Sequence, residues 1–159
     1  MNSHKVFKTS LLAFACFGVL FGLLATLVIN GVTDQFDQSV LLWINSHAST
    51  VTDTIFLFLT HLGGVYGVVA ITTLMVALLT MRKKYDKALF VALAIGGVAL
   101  LNTLLKTLFE RPRPDLWEWL VTETSFSFPS GHSVASATLA LSIVLLLWNT
   151  RWRVVALVG

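Results

Sequence analysis

Long apolar runs alternate with short polar segments along the chain, and four of these runs approach the roughly 20 residues that a helix needs to cross a bilayer core. A fifth apolar run begins at Val154, five residues before the last residue. This pattern predicts an all-α protein, a helical transmembrane bundle with four full spans and the start of a fifth, within a single membrane domain. The predicted spans cover about residues 7–29, 55–81, 88–108, 133–148 and 154–159.

The first apolar run has a second interpretation as a secretory signal peptide, because Lys5 and Lys8 precede or open it. The run is longer than the core of a typical signal peptide, and no cleavage pattern of small residues follows it before Asn30. We therefore interpret it as a retained span.

The polar connection over residues 30–54 has an amphipathic pattern. Phe36, Val40 and Ile44 recur at helical spacing, with Asp37 and Asn45 elsewhere on the helical wheel and Trp43 nearby. This spacing predicts a short helix that lies at the membrane interface and has a structural role.

The connection over residues 109–132 differs, because it holds all three prolines of the chain. Proline interrupts a helix, so we expect a fixed, non-helical loop. Trp117 and Trp119 are expected to anchor this loop at the level of the lipid headgroups. A ligand cage is the alternative role for the two tryptophans.

Composition supports lipid as the main solvent of the chain. Hydrophobic residues make up 56% of the 159 residues and charged residues only 12%, whereas soluble domains carry about 25% charged residues. The single cysteine, Cys16, lies inside an apolar run. A disulfide framework and a thiolate metal site are therefore excluded.

The distribution of lysine and arginine predicts the orientation of the spans. Eight of the eleven basic residues fall on one side of the predicted membrane, and that side is expected to be the cytoplasm, together with the N-terminus. The other side receives three basic residues and seven of the eight acidic residues. The cytoplasmic basic residues are Lys5, Lys8, Arg82, Lys83, Lys84, Lys87, Arg151 and Arg153.

The three basic residues on the outer side, Lys106, Arg111 and Arg113, fall within eight positions. Arginine presents a planar fork that matches phosphate oxygens, and lysine acts as a compact point charge. This cluster predicts a phosphate site. The alternatives are a lysine that extends to the membrane surface and arginines that contact lipid headgroups, Glu110 or Asp115.

A second candidate element, Ser130-Gly131-His132, leads into the fourth span. Serine is a good N-cap, glycine permits close approach of a ligand, and the amide groups of a helix start bind anions. Histidine can give a proton to a leaving oxygen near neutral pH. An ordinary capped helix with an interfacial histidine is the alternative.

Together the two elements resemble the first two signature motifs of the type 2 phosphatidic acid phosphatase superfamily. The matching residues are Lys106, then Arg113-Pro114 after six intervening residues, and Pro129-Ser130-Gly131-His132 after a short loop. The resemblance implies a bundle of six spans, with an amphipathic helix between the first two. It also implies that Lys106, Arg113, Ser130 and Gly131 bind the phosphoryl oxygens and that His132 protonates the leaving group.

The family's third motif is Ser-Arg, five residues, His, three residues, Asp, and it supplies the nucleophilic histidine. Nothing in residues 133–159 fits it, and His61 is expected to be a packed or bundle-facing histidine rather than a replacement nucleophile. We expect the chain to be an N-terminal portion of a longer phosphatase and to be inactive by itself. A degenerate relative kept for binding or assembly is the alternative.

The resemblance implies a metal-independent lipid phosphatase in a bacterial-type inner membrane, with its site on the outer face and a phosphohistidine intermediate. The expected partners are a lipid phosphate and membrane lipids, without nucleic acid or a cofactor. Phosphatidylglycerol phosphate, phosphatidic acid and undecaprenyl diphosphate are the candidate substrates. A phosphotransferase is a close variant, and a non-enzymatic membrane component is the second class. A transporter is disfavoured, because the charges lie at one surface rather than at the midplane.

Overall fold

The computed structural model describes residues 3–116 and 124–148, and over these ranges it contains six α-helices and no strand. The predicted all-α class is confirmed. The last predicted span, 154–159, and the two loop tryptophans lie outside the described residues. The helices are α1 (Ser3–Ile29), α2 (Asp34–Ser46), α3 (Thr50–Gly63), α4 (Val65–Met81), α5 (Tyr85–Phe109) and α6 (Gly131–Leu147).

Two of these helices have the length and apolar character of membrane spans. They are Phe7–Ile29 within α1 and the whole of α5, and the bent pair α3–α4 raises the number to three if it is one span. The fourth predicted span corresponds to α6, which is apolar but has only 17 residues.

Helices α3 to α6 form one compact unit in which α5 packs against both α4 and α6. The core of this unit joins one buried side chain from each of three helices: Val68 of α4, Ile95 of α5 and Leu139 of α6. Val91, one turn before Ile95, is fully buried. The packing holds the C-terminal half of α5 beside the start of α6.

Helices α1 and α2 belong to the second compact unit. Of the side chains described in α1, only Ala25 and Val28 are buried, and Phe14 is 78% exposed. Lipid is the solvent that matches so much exposed apolar surface. The amphipathic segment forms α2, as its spacing predicts, with Asp34 and Asp37 in the first turn, where they complement the helix dipole.

The sequence predicted one continuous span over residues 55–81, whereas the structure has two helices that meet at an angle of 50°. Gly63 ends α3, and Gly64 precedes α4 in an extended conformation (φ −75°, ψ 177°). A hydropathy profile does not detect such a break, because glycine does not interrupt an apolar run. Glycine nevertheless has a low helix propensity, so a helix can end there.

Gly67, in the first turn of α4, lies against the backbone at the C-terminal end of α3. A Cβ atom at this position would clash with the carbonyl oxygen of Leu62 and lie 2.6 Å from that of His61. Both are backbone atoms, so relieving the clash requires the bend itself to change.

We expect Gly67→Ala to lower the unfolding free energy of the bundle by about 1–3 kcal/mol, the usual cost of overpacking. The measurement is the midpoint of thermal unfolding in detergent. Gly97→Ala is the matched control, because a Cβ atom at Gly97 has open space within 4 Å. Equal midpoints for the two variants would contradict the steric account of the bend.

Candidate active site

The first part of the site is the C-terminal end of α5, where Lys106 occupies the last turn. Glu110 then adopts a left-handed conformation (φ 47°), and its N–H donates to the Lys106 carbonyl oxygen over 2.9 Å. This left-handed cap stops the helix. The chain leaves in a non-helical path that carries Arg111-Pro112-Arg113, as the prolines predict.

The second part is the N-terminal end of α6, which begins at Gly131. The Ser130 hydroxyl oxygen caps it, accepting hydrogen bonds from the Ser133 N–H (3.3 Å) and the Ser133 hydroxyl (3.1 Å). The end of the helix therefore presents amide groups and a partial positive charge. His132 is half-buried in the first turn.

The two parts meet at Gly131. A Cβ atom at this glycine would lie 3.3 Å from the Asn102 side-chain nitrogen and 3.9 Å from Cε of Lys106. The aliphatic stem of Lys106 thus passes directly over the first residue of α6. A larger residue at position 131 would separate the lysine from the helix start.

Residues 125–127, which we name the bridging segment, connect both cations of the first part to the approach of α6. The Lys106 ammonium donates to the Ser125 hydroxyl (3.2 Å) and to the Phe126 carbonyl oxygen. Nε of Arg113 donates to the Ser125 carbonyl oxygen over 3.0 Å. Ser125 therefore contacts both cations and holds them close to one another.

Ser127 fixes the opposite side of the bridging segment. Its N–H donates to the Arg111 carbonyl oxygen (2.9 Å), and its hydroxyl is within hydrogen-bond distance of the carbonyl oxygens of Arg111 (3.1 Å) and Pro112 (2.9 Å). The rings of Phe109 and Phe128 pack with their centroids 5.4 Å apart. These contacts hold the Arg111–Arg113 path against the loop before α6.

The imidazole of His132 lies against the bend between α3 and α4. Its Nε2 is 3.3 Å from the position that a Cβ atom at Gly64 would take. His61, expected to be packed or bundle-facing, is exposed rather than packed, and its Nδ1 is 2.7 Å from the Leu57 carbonyl oxygen of its own helix. Of these two histidines, His132 is the one in the first turn of α6.

The arrangement brings together one lysine, one arginine and the capped start of a helix. The side chain of Lys106 lies next to Gly131, and Arg113 is linked to Lys106 through Ser125. Ser130 caps α6, and His132 lies in the first turn of that helix. Cations and helix N-terminal amides suit an anion with several oxygens. Within residues 3–116 and 124–148, no three histidine, cysteine or acidic side chains gather as metal ligands would.

The bridging segment, Asn102 and Gly64 were not predicted from the sequence. The bridging segment, Ser125-Phe126-Ser127, matches no known motif. Most of its hydrogen bonds involve carbonyl oxygens, and every residue has one, so the sequence gives no sign of them. Asn102 does give a signal in the sequence, because it is a polar residue one turn before Lys106 in an apolar helix.

Comparisons with known proteins agree with the resemblance drawn from the motifs. The PAP2 superfamily model matches residues 87–159. Phosphatidylglycerophosphatase B of Bacillus subtilis (strain 168) is 40% identical over 79 residues, which are 50% of this chain and 38% of that protein. The matched region is thus well under half of the curated relative's length.

A solved structure extends the likeness to most of the fold. The crystal structure of a transmembrane PAP2-type phosphatidylglycerolphosphate phosphatase from Bacillus subtilis superposes with a TM-score of 0.78 at 26% identity. The superposition covers 89% of this chain and 75% of that one. The structural likeness therefore extends beyond the matched sequence region.

Proposed function

We propose that this chain carries the phosphate-binding part of a membrane lipid phosphatase. The match of the PAP2 superfamily model to residues 87–159 supports this proposal. One observation carries the proposal: the stem of Lys106 lies 3.9 Å from a Cβ position on Gly131, so a cation and an amide-rich helix start face the same small volume. A phosphate monoester has the charge and the oxygens that such a site binds.

Each residue of the site has a proposed role. Lys106 and Arg113 bind phosphoryl oxygens, and their contacts with Ser125 orient them for this task. The Ser130 side chain and the Gly131 amide complete the phosphate site. His132 is the general acid, which gives its proton to the departing alcohol oxygen. The lipid tails of the substrate stay in the bilayer, and the proposed orientation puts the site on its outer face.

The proposed route is covalent and uses a nucleophilic histidine, which the third motif of the family would supply. Its imidazole nitrogen would attack phosphorus and form an N–P bond, while the P–O bond to the lipid alcohol breaks and His132 protonates the leaving oxygen. Water would then attack phosphorus, break the N–P bond and return its proton to His132, releasing inorganic phosphate. We propose that residues 1–159 alone bind the phosphate without turnover.

The substrate class is proposed from the relatives, which are named for phosphatidylglycerophosphate. Phosphatidylglycerol phosphate is therefore the first candidate, ahead of phosphatidic acid and undecaprenyl diphosphate. A phosphotransferase would use the same site and the same intermediate, with a hydroxyl acceptor in place of water.

The test uses the full-length protein in detergent, with phosphate release from phosphatidylglycerol phosphate measured in the presence of EDTA. We expect full activity, because basic side chains and amides supply the positive charge of the site. Loss of activity in EDTA that added Mg²⁺ restores would contradict the metal-independent mechanism. Absence of phosphate release from all three candidate lipids would contradict the phosphatase assignment.

A further inference from the structure

Gly64 adopts a backbone conformation that any residue tolerates. Its φ of −75° and ψ of 177° are those of ordinary extended chain. The left-handed region, where glycine is favoured, is not involved. The small size of this residue therefore needs an explanation other than backbone freedom.

The surroundings of Gly64 give that explanation. A Cβ atom there would lie 2.9 Å from the Thr60 carbonyl oxygen and 3.3 Å from Nε2 of His132. At the neighbouring Gly63, a Cβ atom would be 4.0 Å from the nearest imidazole atom, which is an ordinary contact. Of these two glycines, Gly64 is the one whose missing side chain leaves room for the ring nitrogen.

We propose that Gly64 is a positioning residue for His132. The bend between α3 and α4 brings a bare stretch of backbone against the imidazole, and this surface sets how far Nε2 lies from the phosphate-binding groups. The proposal rests on the proposed function, since it assumes that His132 protonates the leaving oxygen. It assigns a role in the reaction to the second predicted span, which lies outside the motifs and outside the matched region.

A displaced general acid has a specific kinetic consequence. Loss of proton donation slows the release of a basic leaving group, such as an alkyl alcohol, far more than the release of an acidic phenol. A defect in folding alone lowers the rate of hydrolysis by the same factor for substrates with alkyl and with phenol leaving groups. The ratio of the two rates therefore separates positioning from general destabilisation.

The experiment measures kcat/KM of the full-length protein for a lipid phosphate and for p-nitrophenyl phosphate. We expect Gly64→Ala to lower the first value about 10- to 100-fold, because sub-ångström shifts of catalytic groups have such effects, and the second value several-fold less. Gly97→Ala is the matched control, because a Cβ atom there has open space within 4 Å, and it should leave the ratio of the two values unchanged. An unchanged ratio in Gly64→Ala would overturn the proposal.

A double variant keeps the proposal testable even if Gly64→Ala is poorly folded. In the His132→Ala background, adding Gly64→Ala should lower the thermal midpoint less than it does in the wild type, which is a partial recovery. It should not change the substrate ratio beyond the value of His132→Ala alone. A double variant with no such recovery overturns the inference. If His132→Ala itself retains wild-type activity on the lipid phosphate, the proposed function fails instead, so the two failures are distinguishable.

Discussion

Replacing His132 by alanine is expected to lower kcat/KM for a lipid phosphate about 10²- to 10⁴-fold, the range that general acid catalysis contributes. The residue lies in the first turn of α6, next to Gly131 and within one turn of the Ser130 cap. Without a proton donor the lipid alcohol must leave as an alkoxide, which is a poor leaving group. Steady-state phosphate release by the full-length protein measures the effect.

His47→Ala is the matched control for this change, because His47 follows α2 in the other compact unit and is exposed. It should retain wild-type kinetics. A His132→Ala variant within threefold of wild type, with an unchanged thermal midpoint, would refute the role of His132 as the acid.

Replacing Lys106 by alanine is expected to lower kcat/KM about 10²- to 10³-fold, the effect of removing one preorganised donor to a developing negative charge. Two causes act together. The phosphate loses a cationic contact, and the bridging segment loses the bonds from the ammonium to Ser125 and Phe126. The kinetics of lipid phosphate hydrolysis measure the loss.

The control for Lys106 is Lys84→Ala, which removes the same charge from the exposed turn before α5. It should change kcat/KM less than twofold. Lys106→Arg keeps the charge but not the fit over Gly131, so we expect it to recover only part of the activity. Full activity of Lys106→Ala would eliminate the lysine as a phosphate ligand.

Hydropathy predicted most of the helices, because long apolar runs have few alternatives to helix in a bilayer. It predicted α1, α5 and the amphipathic α2, and the structure has helices at each of these positions. It missed the break at Gly64, since the break depends on helix packing around glycines rather than on polarity.

The proposed site could be derived from the sequence only in its side-chain chemistry. Lys106, Arg113 and His132 can be chosen from residue type and spacing, because those residue types suit phosphate binding and proton transfer. The partners that orient the cations were not predictable. A carbonyl oxygen such as that of Phe126 exists at every position of every sequence, and only the fold decides which one meets Lys106.

The bridging segment holds its cations mainly through the main chain, and this has a consequence for sequence variation. Phe126 accepts from Lys106 through its carbonyl oxygen, and Ser125 accepts from Arg113 in the same way. The residue type at position 126 can therefore change while both hydrogen bonds are kept. A single insertion or deletion between residues 124 and 129 would move every acceptor away from its donor. Constant loop length with varied side chains is the pattern to look for when homologous chains are aligned.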